Sequence, residues 1–275
     1  MISKTWEIFH RARLVFILAS LSVLVLGGCA SIPTDPEERK AYTKTNDPIE
    51  PVNRAIFSFN KGLDTVIFKP IATIYKKILP QTLQDGIRNF LNNLRSPVIL
   101  ANNLLQGNLE GAQDTIARFA VNSIVGFGGF GDPAHDLGFK YRSEDFGQTL
   151  GVWGIGEGPY LMLPVFGPSN SRDVIGLIVD SISDPINTWA DNTERDTIPI
   201  SRVLARGIDK RARNIETLDE LEKSSLDFYV TIRSLYRQVR DDEIRNGNPD
   251  DTIPLPSISL DEGPTLAGPR AQVIK

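Results

Sequence analysis

NLEGAQDTIARFAVNSIVGFGGFGDP, residues 108–133, holds both halves of the pattern that decides this fold. The first half reads as an amphipathic helix, because Leu109, Ala112, Ile116, Phe119 and Ala120 recur at steps of three and four and share a face. The second half, Gly126 to Pro133, sets glycines too densely for a helix to continue, yet keeps Phe127 and Phe130. Outward from there the alternation repeats. Leu83, Ile87, Phe90, Leu91 and Leu94 predict a helix capped by Thr82, with Asp85 in its first turn. Ser96 followed by Pro97 predicts a second helix start, since proline at the first helical position gives up only a donor that had no partner. Val174 to Ile182 is apolar nearly all round, as a core or membrane-dipping helix should be. One stripe then runs from Leu204 through Ile215 and Phe228 to Val239 between heavily charged positions, predicting a long amphipathic helix or a broken pair packed against the body. Gly147 to Pro168 again resists helix, with short extended pieces expected at 150–153 and 160–165. The class is mainly α: amphipathic helices joined by irregular Gly-rich segments.

The N-terminus carries a different message. Lys4, Arg11 and Arg13 precede the apolar run Leu14 to Leu26, whose length suits a signal h-region of ~7–15 residues and falls short of the ~20 needed to span a bilayer. Leu26, Gly27 and Gly28 then lead to Cys29, the only cysteine of the 275 residues. This resembles a bacterial lipoprotein signal, with cleavage before Cys29 and acylation of that residue, palmitate included. Ala30 follows, and the absence of an aspartate there implies export to the inner face of the outer membrane. The expected organisation is a signal peptide at 1–28, a lipidated tether rich in Pro, Thr, Lys and Glu at 29–45, a folded domain at 46–246, and a disordered Asp/Pro/Gly/Ser-rich tail at 247–275. The domain contains no uninterrupted apolar run of 18 residues, so no transmembrane helix of the usual length is expected.

Composition excludes more than it selects. The chain carries a net charge of −4, which becomes more negative once the basic signal is removed, and this argues against nucleic acid. It argues equally against attachment through a basic surface to anionic lipid. With Cys29 acylated and His10 in the signal, His135 is the sole remaining histidine, so neither a Cys–His pair nor a histidine-rich zinc site can be assembled. His135 beside Asp132 and Asp136 allows a Ser-His-Asp hydrolase on count alone, but no GxSxG elbow accompanies it. The DFG at 145–147 lacks the lysine and HRD loop of a kinase, and no phosphate-binding GxxxxGK[ST] loop occurs. No catalytic residue, metal site or cofactor is expected.

Three blocks carry a family likeness: NDPIEPVNRAIFSFN at 46–60, RFAVNSIVGFGGFGD at 118–132, and DFGQTLGVWGIGEGPYLMLPVFGPSNSRD at 145–173. In this order behind a lipobox they resemble the MlaA (VacJ) family of outer-membrane lipoproteins. The resemblance implies a ring-like, mostly helical protein in the inner leaflet of the outer membrane, associated with trimeric porins. Through it, phospholipids that have strayed into the outer leaflet would leave for a periplasmic lipid-binding carrier of the Mla pathway, which preserves lipid asymmetry without enzymatic chemistry. The irregular glycines Gly126, Gly128, Gly129, Gly131, Gly147, Gly151, Gly154, Gly156 and Gly158 are candidates for the channel wall or gate, or else for tight turns. Asn53, Arg54, Arg118, Asn122, Asp145, Gln148, Arg172 and Asp173 either pair with one another or meet the headgroup, the arginines being the better headgroup contacts because guanidinium matches phosphate bidentately. A lipid hydrolase using His135 and a scaffold that merely binds porin or peptidoglycan are the competing readings.

Overall fold

A computed structural model describes residues 46–246; the signal region, Cys29, the tether and the tail all lie outside the described residues. The chain divides into two compact units, one formed by the segment up to Asn60 together with Gly158–Asn170, the other by Lys61–Glu157 and the residues from Ser171 onward.

In the smaller unit, helix α1 (Glu50–Leu63) contributes its residues up to Asn60, and strands β1 (Tyr160–Leu163) and β2 (Gly167–Asn170) pair antiparallel, with Tyr160 opposite Asn170 and Leu163 opposite Gly167. The edge of β1 that β2 leaves open is covered by asparagines. Asn53 donates to the Tyr160 carbonyl at 3.0 Å and accepts the Met162 N–H at 2.9 Å. Asn60, seven residues on and therefore on the same helix face, donates to the Leu163 carbonyl and accepts the Val165 N–H, each at 2.8 Å. The Asn46 carbonyl takes the Tyr160 N–H at 2.8 Å. Each amide offers one donor and one acceptor, so the strand edge is satisfied as if by another strand.

In the larger unit the end of α1 passes through a π turn (Asp64–Phe68) into α2 (Lys69–Ile78). Helix α3 (Gln81–Gln106) ends at Gly107, whose φ of 73° supplies the left-handed cap. Helix α4 (Leu109–Ile124) is capped by Asn108, which accepts the Gly111 N–H at 2.9 Å. Short helices α5 (Pro133–Asp136) and α6 (Phe146–Val152) are capped by Asp132 and Asp145. After the hairpin come α7 (Ser171–Ser183), α8 (Pro185–Asn192), α9 (Thr197–Arg213), α10 (Ile215–Ser224) and α11 (Phe228–Ile244). The most extensive packing is α3 on α4, followed by α6 on α7. Among the described residues no helix is long and apolar enough to cross a membrane.

Several expectations from sequence are corrected. Thr82 is not the cap, since α3 already begins at Gln81, and Pro97 does not start a new helix but lies inside α3. An interior proline costs ~3 kcal/mol, and the packing of buried Val98 and Ile99 beside it offsets that loss. The stripe from Leu204 to Val239 is interrupted twice: at Asn214, between α9 and α10, and at Ser225–Asp227, where Asp227 caps α11 through the Val230 N–H at 3.2 Å. Gly147 and Gly151 sit in the helix α6 rather than in irregular chain. The extended piece expected at 150–153 is therefore mostly helical, whereas the one at 160–165 is real and forms β1.

The largest correction concerns direction. In α4 the predicted apolar stripe faces outward: Leu109, Ile116 and Phe119 are exposed, while Gly111, Ala112, Thr115, Arg118 and Asn122 are buried. In α3 the predicted stripe is mixed, with Leu83 exposed, Leu91 buried and Ile87, Phe90 and Leu94 half-buried, while Gln84, Asn93, Ser96, Asn102 and Asn103 are buried on the same helix. Val174–Ile182 is likewise not core. Ile175, Leu177, Ile178 and Ile182 are all exposed, whereas Arg172 and Gly176 are buried. The periodicity locates a stripe but does not say which solvent lies against it.

Candidate functional site: a polar interior behind apolar helix faces

The larger unit keeps a small apolar core, Leu91, Val98, Ile99 and Leu150 among it, but many of its polar side chains are buried as well. Its helices turn amide, hydroxyl and charged side chains toward one another and leave apolar faces in the open, Phe127 at 88 % and Ile124 at 82 % exposure. In water such an exterior is unfavourable by about 25 cal/mol for each Å² of apolar surface, whereas against hydrocarbon it costs nothing.

Between α3 and α4 lies a small open pocket of about 20 Å³, room for about one water molecule, lined mostly by polar residues. Asn89, Asn92, Asn93 and Ser96 line it from α3, Thr115 and Asn122 from α4, and the segment Lys140–Arg142 closes a third side. Gly111 lets the two helices approach here, because a Cβ at that position would stand 2.1 Å from Asn103 Oδ1. Asn93 donates to Ser123 Oγ at 2.9 Å, and Gly129, at φ 97°, is seated where a Cβ would collide with Asn93. Lys140 is exposed at the pocket, and Arg142 approaches the exposed Glu110 at 3.6 Å.

Two knots hold the loops around this pocket. Arg118 donates to Asp132 Oδ2 at 2.6 Å and to the Phe139 carbonyl at 2.7 Å, and Asn122 bridges Asp132 Oδ1 and the Ala134 N–H. Burial pushes the Asp132 carboxyl up, but its bonds to Arg118 and Asn122 outweigh that and hold it below its ordinary value. The second knot joins α6, α7 and α11. Asp145 caps α6 through the Gln148 N–H at 2.9 Å and takes both terminal nitrogens of Arg240 at 2.6 and 2.7 Å. Arg240 Nε also reaches Asp173 Oδ2 at 2.7 Å, and Tyr236 donates to the same carboxylate. Burial raises Asp145, yet the Arg240 bonds prevail and set it at about 2. Gly176 makes this knot possible, since its Cβ would meet the Gly147 backbone nitrogen at 2.3 Å.

The residues singled out from sequence are therefore mostly structural in their contacts. Asn53 holds the hairpin, Arg54 pairs with Glu50 at 2.7 Å, Gln148 donates to the Ser143 carbonyl at 3.0 Å, and Arg172 pairs with Asp173 at 3.2 Å. Arg54, Arg118 and Arg172, favoured as headgroup contacts, are each bound to a carboxylate. His135 is exposed on α5, and its neighbour Asp132 is already committed to Arg118 and Asn122. Among the described residues no cluster of three or more His, Cys, Asp or Glu side chains could hold a metal ion. Sequence reading missed the asparagines of α3. The signal was available in the pairs Asn92-Asn93 and Asn102-Asn103, because asparagine is a poor helix former whose repetition within a helix needs another reason.

Comparison with known proteins bears on this arrangement. The family model described as MlaA lipoprotein matches residues 45–243. The intermembrane phospholipid transport system lipoprotein MlaA of Escherichia coli (strain K12) is 36% identical over 238 residues, covering 82% of this chain and 89% of that protein. Its namesake in Haemophilus influenzae is 29% identical over 236 residues, covering 84% and 90%. A solved structure from work on the structural basis for maintenance of bacterial outer membrane lipid asymmetry superposes with a TM-score of 0.65 at 31% identity, covering 72% of this chain and 98% of that one.

Proposed function

The chain belongs to the MlaA lipoprotein family, and from that premise we propose that it conducts phospholipid out of the outer leaflet of the outer membrane. The observation that carries this reading is the inversion of the larger unit, with polar side chains buried and large apolar ones exposed on the same helices. A phospholipid leaving a leaflet needs a wet route for its charged headgroup, since transferring an unpaired ion into hydrocarbon costs many kcal/mol. The pocket lined by asparagines and cations supplies polar surface of this kind beside helix faces that suit acyl chains. On this reading Cys29 carries the lipid anchor on the periplasmic side, a trimeric porin steadies the protein in the membrane, and a periplasmic carrier takes up the lipid. The protein has no energy source of its own in this scheme, so it permits flow and the carrier biases it.

Phospholipid exposed on cells lacking the gene, and on cells complemented with it, tests the reading. Complementation should reduce exposed phospholipid with the lipid chemically intact. Appearance of lysophospholipid or free fatty acid with the protein would favour a hydrolase instead, and unchanged surface lipid would leave only a scaffold. His135→Ala should complement like the parent at equal protein level, because Asp132 is unavailable to orient the ring.

A further inference from the structure

Arginines in the larger unit typically face a carboxylate: Arg118 with Asp132, Arg202 with Asp184, Arg211 with Asp64, Arg237 with Glu157 and Arg240 with Asp145. Arg95 on α3 and Arg206 on α9 depart from this. Arg95 donates to Ser143 Oγ at 3.1 Å and to the Glu144 carbonyl at 3.5 Å; Arg206 donates to the Leu91 carbonyl at 3.0 Å. Among the described residues neither makes an ion pair, and both are part-buried. Leu91 is one helical turn before Arg95, so the Arg206 guanidinium is brought to the turn of α3 that carries the other cation.

The nearby carboxylates act on them without contacting either guanidinium. Asp184 is held by Arg202 at 3.0 Å while capping α8, Asp145 is held by Arg240, and Asp180 accepts the Asn102 amide and the Phe146 N–H. Tyr141 and Arg202 also act on Arg206, and Glu144, whose carbonyl Arg95 contacts, is a buried carboxyl raised to about 7. Burial, and then the like charge of Arg95, push Arg206 down to about 10. Asp184 acts on Arg206, and Asp145 and Asp180 on Arg95, only at a distance, so the two part-buried cations keep unused donors that a bound anion would take up.

We propose that Arg95 and Arg206 form an anion site for a phosphate group, with Ser143 Oγ at its edge. The planar forks of two guanidinium groups match the oxygens of a phosphate, and each has donors beyond those used within the protein. Asn92 and Ile99, which line the polar pocket, lie three residues before and four after Arg95 on the same side of α3. This inference rests on the phospholipid-transport reading for its source of phosphate, the diester of a headgroup in transit. A free phosphate ion has the same recognition chemistry.

The test uses the full lipoprotein in non-ionic detergent, with inorganic phosphate, dihexanoylphosphatidylglycerol below its micelle concentration, and dihexanoylglycerol as the phosphate-free control. The parent should bind the short-chain phospholipid and ignore dihexanoylglycerol, with affinity falling as salt is raised. Arg95→Gln and Arg206→Gln should each weaken binding tenfold or more, and the double variant should abolish it. Without ligand, each variant should melt close to the parent temperature, because relief of the like charge between the pair offsets the hydrogen bonds lost. Equal affinity for inorganic phosphate would keep the site and assign it to the free ion. Variants that bind like the parent, a parent that binds neither phosphate compound, or variants that melt well below it would overturn the assignment. The surface-phospholipid measurement decides the transport reading separately.

Discussion

Asn53 and Asn60 do for a strand edge what a neighbouring strand would, and the two differ in burial. Removing Asn53 strands the Tyr160 carbonyl and the Met162 N–H at buried positions, each costing about 1–3 kcal/mol unless water reaches it. Asn60 serves the half-exposed end of the hairpin, where water can substitute. Asn53→Ala should therefore destabilise the protein clearly more than Asn60→Ala in denaturant unfolding, and faster hydrogen exchange at Met162 should accompany it. Glu144 makes a second prediction at this scale. It is only 2 % exposed, and burial pushes it up to about 7 despite the bond from Gln106 at 2.9 Å. The unfolded chain loses this proton near pH 4.3. Between those values the folded state holds more protons, so stability falls as pH rises from about 4.5 to 7, by up to about 3 kcal/mol from this residue. Glu144→Gln should flatten that slope, and an unchanged pH dependence would contradict the assignment. Asp180 and Asp209, also raised by burial, contribute with the same sign and leave a residual slope.

Helices α6 and α7 touch through Gly147 and Gly176, so a side chain at position 176 has nowhere to go. Gly176→Val should separate the helices, break the geometry of the Asp145–Arg240 knot and lower protein abundance and melting temperature together. Gly156 is the opposite case, with open space where a Cβ would stand and no positive φ. Gly156→Trp should accumulate normally; if its segment gates lipid flow, phospholipid exposed on the cell surface should rise at unchanged protein level. Gly129 cannot make that distinction, because its φ and the contact with Asn93 would couple any side chain to folding. These elements also show what was legible in the sequence. The helical class, the breaks around Gly126–Gly131 and the strand at 160–163 were readable from period and glycine density. The facing of α4 and α7 was not, because a 3.6-residue repeat is the same whether its apolar side meets a core or a lipid. Arg95 and Arg206 were invisible for a related reason, since an arginine without a carboxylate partner is defined by distances between α3, α9 and the 141–144 segment.

Exposed apolar residues recur along α2, α4 and α7 and around the Gly-rich loop, Ile78, Ile124, Phe127 and Ile182 all at 70 % or more. The helix faces are one ground for membrane residence, and the acyl group proposed at Cys29 would be a second. Cys29→Ala should lose metabolically incorporated fatty acid; undiminished label would refute Cys29 as the anchor. The same variant, released from cells without detergent, should sediment as aggregate instead of appearing as a dispersed monomer. That outcome bears on biogenesis. A protein whose finished exterior is oily has no stable folded form in the aqueous compartment it must cross, so an escort has to cover those helix faces between one bilayer and the next, and delivery and final folding become a single event.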